Sequence, residues 1–110
     1  MANEIDLSVI EQEIMLAILW QHPNAYGVSI RDLIKARAGK EHSFGSIYAV
    51  LERLEDKGLL ASREGEATAT QGGRKKQFFT VSAPGRRALA HSQQTMEKMA
   101  KGLDWGGLPA

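Results

Sequence analysis

Residues 43–58 read SFGSIYAVLERLEDKG, and the fold follows from how this segment distributes its side chains. Ser43 suits the start of a helix, because its hydroxyl can accept from the first unpaired amides. Gly58 suits the end, because glycine adopts the left-handed backbone that commonly terminates helices. At about 100° per residue, Ile47, Val50, Leu51 and Leu54 fall on one side and must pack inward. Gly45, Ser46, Ala49, Glu52 and Arg53 fall on the other. The outward face therefore starts with almost no bulk.

Reading upstream, Asn24-Ala25-Tyr26-Gly27 is a turn, and a helix with the core face Ile30, Leu33 and Ile34 follows, ending near Gly39. Reading downstream, residues 59–63 and 77–81 are apolar, strand-like runs, and the small, polar, glycine-rich stretch 67–73 between them is the tip of a long hairpin. Further out, Ser8 with Glu11 three positions later forms a capping-box signature. That first helix runs to about Gln21 or His22, where Pro23 stops it. Ile10, Ile14, Ala17 and Ile18 share one face of it, while Val9, Leu16, Leu19 and Trp20 project largely to the other. A helix apolar around most of its girth is covered from two directions, and a chain of 110 residues has one core to offer.

Ser82 caps a last helix with Pro84 in its first turn, where a missing amide hydrogen costs little. It continues toward Leu103, and Leu89, Ser92, Met96, Met99 and Leu103 recur along it at three- and four-residue spacing, as a short heptad seam. The order helix, helix, helix, hairpin, helix predicts a mainly α fold with a small β-hairpin, within the α+β class. The arrangement is a winged helix-turn-helix over residues 1–82. A C-terminal dimerisation helix over 83–103 joins the same compact unit, and 104–110 form a loose tail. Val9, Leu16 and Trp20 of the first helix, with Leu89, Met96, Met99 and Leu103 of the last, form the expected dimer interface. Trp20, Met96 and Met99, with Trp105 nearby, are also expected to line an apolar gap there, able to take a small hydrophobic ligand.

Composition narrows the function. The apolar share of 43% and charged share of 25% are those of a globular domain. The net charge of +1 is modest, but from Gly72 to Arg87 there are five bases (Arg74, Lys75, Lys76, Arg86, Arg87) and no acid. The chain has no cysteine, hence neither disulfides nor a zinc knuckle. No cofactor is expected. The opening MANEIDLS lacks the basic and apolar regions of a secretion signal, and no apolar run approaches the ~20 residues of a membrane span. No membrane role and a cytoplasmic location are expected.

A slim helix next to a basic hairpin fits double-stranded DNA. The major groove, about 12 Å wide, admits such a helix. Ser46 can reach base edges, Gly45 permits close approach, and Ser43 with the free helix amides can hold a phosphate. Tyr48 lies on the flank, within reach of the DNA backbone, and Arg53 lies further along the exposed side. At the hairpin tip, Gly73 permits close backbone approach while Arg74, Lys75 and Lys76 supply phosphate-neutralising charge.

The residues also resemble a known family. Ala25-Tyr26-Gly27, Ser43-Phe44-Gly45-Ser46-Ile47-Tyr48, Leu51-Glu52-Arg53-Leu54-Glu55 and Gly58-Leu59-Leu60 are similar to the PadR family of bacterial transcriptional regulators. So are Gly72-Gly73-Arg74-Lys75, Phe78-Phe79-Thr80-Val81 and Gly85-Arg86-Arg87-Ala88-Leu89, in the family's order, over roughly residues 9 to 90. Ala49 stands where the family commonly has proline, and Val81-Ser82 where it has leucine-threonine. The resemblance implies a homodimeric repressor that binds a pseudo-palindromic operator. It points to Ser43, Ser46 and Tyr48 on the helix and Gly73, Arg74 and Lys75 on the wing as contacts.

Two other classes of function compete with DNA binding. An enzyme is disfavoured, because His22, His42 and His91 lie in separate segments with no catalytic spacing and no phosphate-binding loop is present. A winged helix that binds a protein rather than DNA is the alternative, and Glu52 and Glu55 beside the third helix would suit a basic partner.

Overall fold

The computed structural model describes residues 5–67 and 75–107. Its elements are α1 (Val9–Trp20), α2 (Gly27–Ala38), α3 (Phe44–Asp56), β1 (Leu60–Ala67), β2 (Lys75–Val81) and α4 (Ala83–Ala100). Each helix start has a local cause. The Ser8 amide donates to Glu11 Oε1 at 2.8 Å and the Glu11 amide to Ser8 Oγ at 3.3 Å, so the capping box at α1 is complete. Ser43 and Ser82 accept from the amides of Ser46 and Gly85 at the heads of α3 and α4. α2 starts at Gly27, where the Tyr26 amide donates to Ser29 Oγ at 3.0 Å, and it ends at Gly39 in the left-handed conformation, φ 68°.

Ile14, Met15 and Ile18 from α1, Ile30 from α2 and Ile47, Leu51 and Leu54 from α3 are fully buried together. The core faces expected for these helices therefore hold, with Leu33 and Ile10 packed at the margin. Leu59, Leu60, Phe79 and Val81 close the core from the hairpin side. β1 and β2 pair antiparallel, with Leu60 opposite Val81 and Arg63 opposite Phe78, and the register shifts between Glu64 and Ala67. Both strands are longer than the sequence suggests. The segment 24–27 is also more than a turn: the Phe79 amide donates to Ala25 O at 2.8 Å, so Ala25 forms an isolated bridge on the free edge of β2.

The last helix divides in two. Gly85, Ala88, Leu89 and Ser92 are buried against the domain. Gly85 touches the backbone of Leu59 so closely that a methyl group there would overlap the Leu59 carbonyl. Beyond Ser92, Met96 and Met99 are 63% and 76% exposed. Leu89 is thus a residue of its own core rather than of the seam expected for it. Leu103 lies outside the helix, which ends at Ala100 before Gly102 turns left-handed at φ 80°. The chain has extents of 54 × 37 × 21 Å and a radius of gyration of 16.0 Å. A compact chain of this length would have about 13 Å. Among the described residues, no helix is long and apolar enough to cross a membrane.

Candidate nucleic-acid interface

The first turns of α3 are exposed at Ser43, Phe44, Gly45, Ser46, Tyr48 and Ala49. The Ser43 hydroxyl accepts from the Ser46 amide at 3.1 Å and donates to Ser46 Oγ at 3.0 Å, so the two serines form one small polar cluster. Phe44 and Tyr48 stack one turn apart, with ring centroids at 6.5 Å, and the Arg31 guanidinium lies 4.4 Å over Phe44. The same Arg31 donates from Nε to His42 O at 2.9 Å and so fixes the segment that leads into Ser43. The Tyr48 phenol rests against Gly27, where a methyl group would overlap it. That glycine allows the start of α2 to approach α3.

Arg53 is exposed, as the helix pattern expects, and also has a partner on α1. Its Nε donates to Glu11 Oε2 at 3.1 Å, and Lys57 Nζ stands 3.6 Å from the same oxygen. Its guanidinium is drawn to α1 and ties α3 to it. Burial pushes the Glu11 carboxyl up, but the Ser8 amide, the Arg53 guanidinium, the Lys57 charge and the Ser8 hydroxyl outweigh it and hold the group below the ordinary carboxylate value. Glu13 behaves likewise: burial raises it, and hydrogen bonds from Lys40 (2.6 Å) and His42 (3.0 Å), with their charges, leave it lowered.

The wing strand lies beside α3. Tyr48, Ala49, Glu52 and Glu55 of α3 line one groove with Gln77 and Phe79 of β2. The Ser62 hydroxyl donates to Glu55 Oε2 at 2.6 Å and accepts from Gln77 Nε2 at 2.9 Å, which links α3, β1 and β2. Lys75 and Lys76 belong to β2, not to the tip. As consecutive strand residues they point to opposite faces of the ribbon. Lys75 is exposed, 3.9 Å from Glu64, whereas Lys76 Nζ sits 4.2 Å over the ring of Tyr26. Gly73 and Arg74 lie outside the described residues.

A second apolar surface stands apart from this groove. Val9 and Trp20 are 62% and 65% exposed, and Leu16 and Leu19 are partly so. Trp20 carries the Arg37 guanidinium 4.4 Å over its ring and lines a cleft of about 230 Å³ with Leu16, Ala17, Leu33 and Ile34. Met96 and Met99 do not line that cleft within one protomer. Trp105 is exposed too. Sequence reasoning missed Glu11, Tyr26, Arg31 and Phe78 as organising residues. Of these, Glu11 carried a signal as a cap, and Tyr26 and Phe78 lie in segments that resemble the family. Among the described residues, no group of three or more His, Cys, Asp or Glu side chains could hold a metal ion.

The model of the transcriptional regulator PadR-like family matches residues 15–91. No curated protein sequence matches the chain. Among solved structures, a PadR-like transcription factor from Bacteroides fragilis aligns at a TM-score of 0.71 and 24% identity, covering 84% of either chain. A PadR-family transcription regulator from Clostridium difficile aligns at 0.70 and 20% identity, over 86% of this chain and 93% of that one. Bacillus subtilis PadR, solved in complex with operator DNA, aligns at 0.65 and 17% identity, over 88% of this chain and 62% of that one. At these identities the structures establish the shared winged-helix fold.

Proposed function

Because the chain belongs to the PadR-like family of transcriptional regulators, we propose that it is a repressor that binds a pseudo-palindromic operator as a homodimer. The family's work is DNA-bound regulation and not catalysis. The observation that carries this reading is the exposed start of α3 at Ser43, Gly45 and Ser46, followed on the same helix by Tyr48 and Ala49, which share a groove with Gln77 and Phe79 of the wing strand. Ser46 and Gly45 enter the major groove, Ser43 and Tyr48 meet the backbone at its edge, and Lys75 with Gly73 and Arg74 follows the adjacent phosphates. The Bacillus subtilis protein of the same fold is seen on operator DNA, which supports DNA as the partner.

Two copies meet through the exposed face of α1 (Val9, Leu16, Trp20) and the projecting half of α4 (Met96, Met99), with Leu103 just past its end. A two-fold pair would present its recognition helices about one DNA turn apart, roughly 34–36 Å. A small hydrophobic effector that relieves repression would sit where Trp20 of one copy meets Met96 and Met99 of the other. Quenching or shift of tryptophan emission by planar apolar ligands tests that site, and an unchanged spectrum across such a panel overturns it.

The experiment for the main reading is duplex binding measured against salt. Each lysine or arginine that neutralises a phosphate contributes about 0.9 to the slope of log K against log salt. Lys75→Gln and Arg74→Gln are each expected to lower that slope by about one contact. A wild-type protein that binds no duplex at low salt would favour the alternative, a protein-binding module using Glu52 and Glu55.

A further inference from the structure

Tyr26 stands at the crossing of three elements. Its amide is held by Ser29, whose hydroxyl donates to Gln21 Oε1 at 2.9 Å while Gln21 Nε2 donates back to Ser29 O at 3.0 Å. Its ring meets Phe78 of β2 edge-on, with centroids 5.9 Å apart and planes at 78°. Lys76 Nζ lies over the Tyr26 ring, and on the far side of the ladder the Arg63 guanidinium lies 4.7 Å over Phe78. Arg63 also donates to Pro23 O at 3.3 Å, just ahead of the Ala25 bridge to Phe79. The next residue, Gly27, takes the Tyr48 phenol of the recognition helix.

A two-stranded ribbon is marginal by itself. This one is braced along its outer face by a cation–ring–ring–cation ladder, each contact of which is modest and which act together. Resting on the DNA-binding reading above, we infer that Tyr26 is a positioning residue for DNA binding: through Lys76, Phe78 and Arg63 it fixes the angle of the wing to α3, and so the distance between groove and phosphate contacts. Lys76 is engaged in this brace, and Lys75, on the opposite face and 3.9 Å from Glu64, is the more exposed of the two strand lysines and the one placed to reach DNA.

The test compares Tyr26→Leu, which keeps bulk and removes the aromatic ring, with Tyr26→Phe, which keeps the ring. Binding is read on a mixed-sequence duplex of about three helical turns across salt. Tyr26→Leu is expected to weaken binding roughly three- to tenfold and to lower the salt slope by about one contact. Tyr26→Phe is expected to behave as wild type. A second readout needs no DNA. The chain has no native cysteine, so spin labels on Glu52→Cys and Lys75→Cys, diluted with unlabelled protein, report the distance from α3 to the wing. A narrow distribution in wild type and a broadened one in Tyr26→Leu supports the inference.

Identical distributions and slopes in the two overturn it, as does Tyr26→Phe failing as badly as Tyr26→Leu. Should Tyr26→Leu not fold, Phe78→Leu breaks the same ladder from the wing side. If neither folds, the ladder is a folding element and the positioning role is rejected. Wild-type protein that binds no duplex but shows the label effect rejects the DNA reading and leaves the brace standing.

Discussion

Glu11 shows how a single residue joins capping, packing and charge. One carboxylate oxygen accepts from the Ser8 amide and the other from Arg53, with Lys57 close by, while the side chain is almost entirely covered. Removing it strips a helix cap and leaves two cations without their partner. Glu11→Ala is therefore expected to cost about 1–3 kcal/mol in urea unfolding, and a loss below about half a kcal/mol, the size of an ordinary surface change, would mean that the cluster is a solvated contact. The pH dependence follows from direction. Glu11 and Glu13 have lowered values in the folded chain, so their contribution is complete above the ordinary carboxylate range and declines as pH falls through it. Melting temperature should drop on acidification, and less steeply in Glu11→Gln. Gly85 gives a second residue-scale expectation: a methyl group there meets the Leu59 carbonyl carbon at 3.0 Å and Val81 Cγ1 at 2.9 Å. Backbone cannot yield as a long side chain can, so Gly85→Ala should unseat the head of α4 and lower stability by about 1–3 kcal/mol, as overpacking does.

At the level of elements, what was legible in the chain depended on periodicity. The inward faces of α1, α2 and α3 could be read because one core imposes one repeat on each helix, and Ser8, Ser43 and Ser82 could be read as caps because capping is local. The helix pattern leaves Arg53 outward, where it is exposed, but does not give its bond to Glu11, which lies 42 positions away. The heptad in α4 misled in a related way. Leu89, Met96 and Met99 share one stripe, and spacing alone does not reveal that the domain ends near Ser92. The glycine-rich segment hides where β2 begins, so Lys75 and Lys76 read as tip residues although they belong to the strand. The split of α4 gives its own expectation. Met96→Glu combined with Met99→Glu should leave the far-ultraviolet dichroism intact, because neither side chain is in the core. The mass measured by light scattering should fall to that of one chain. A dimer that survives both changes would move the interface elsewhere.

The dimensions of the whole molecule connect fold to operator. The radius of gyration is 16.0 Å, where about 13 Å would suffice, and the far half of α4 carries the exposed Met96 and Met99 beyond the domain core. Apolar surface of that kind gains free energy when covered, at about 25 cal/mol per Å², and the exposed face of α1 has the same need. If a second copy covers both, folding and pairing are one equilibrium, and stability must depend on protein concentration. The melting temperature should rise with protein concentration in wild type and become independent of it in the Met96→Glu, Met99→Glu protein. The same variant separates affinity from recognition. Each protomer keeps its α3 and wing, so weak duplex binding with a reduced salt slope should persist, while the two footprints about one helical turn apart on operator DNA collapse to one half-site. A wild-type footprint confined to a single half-site would break the link between the projecting helix and the spacing of the DNA contacts.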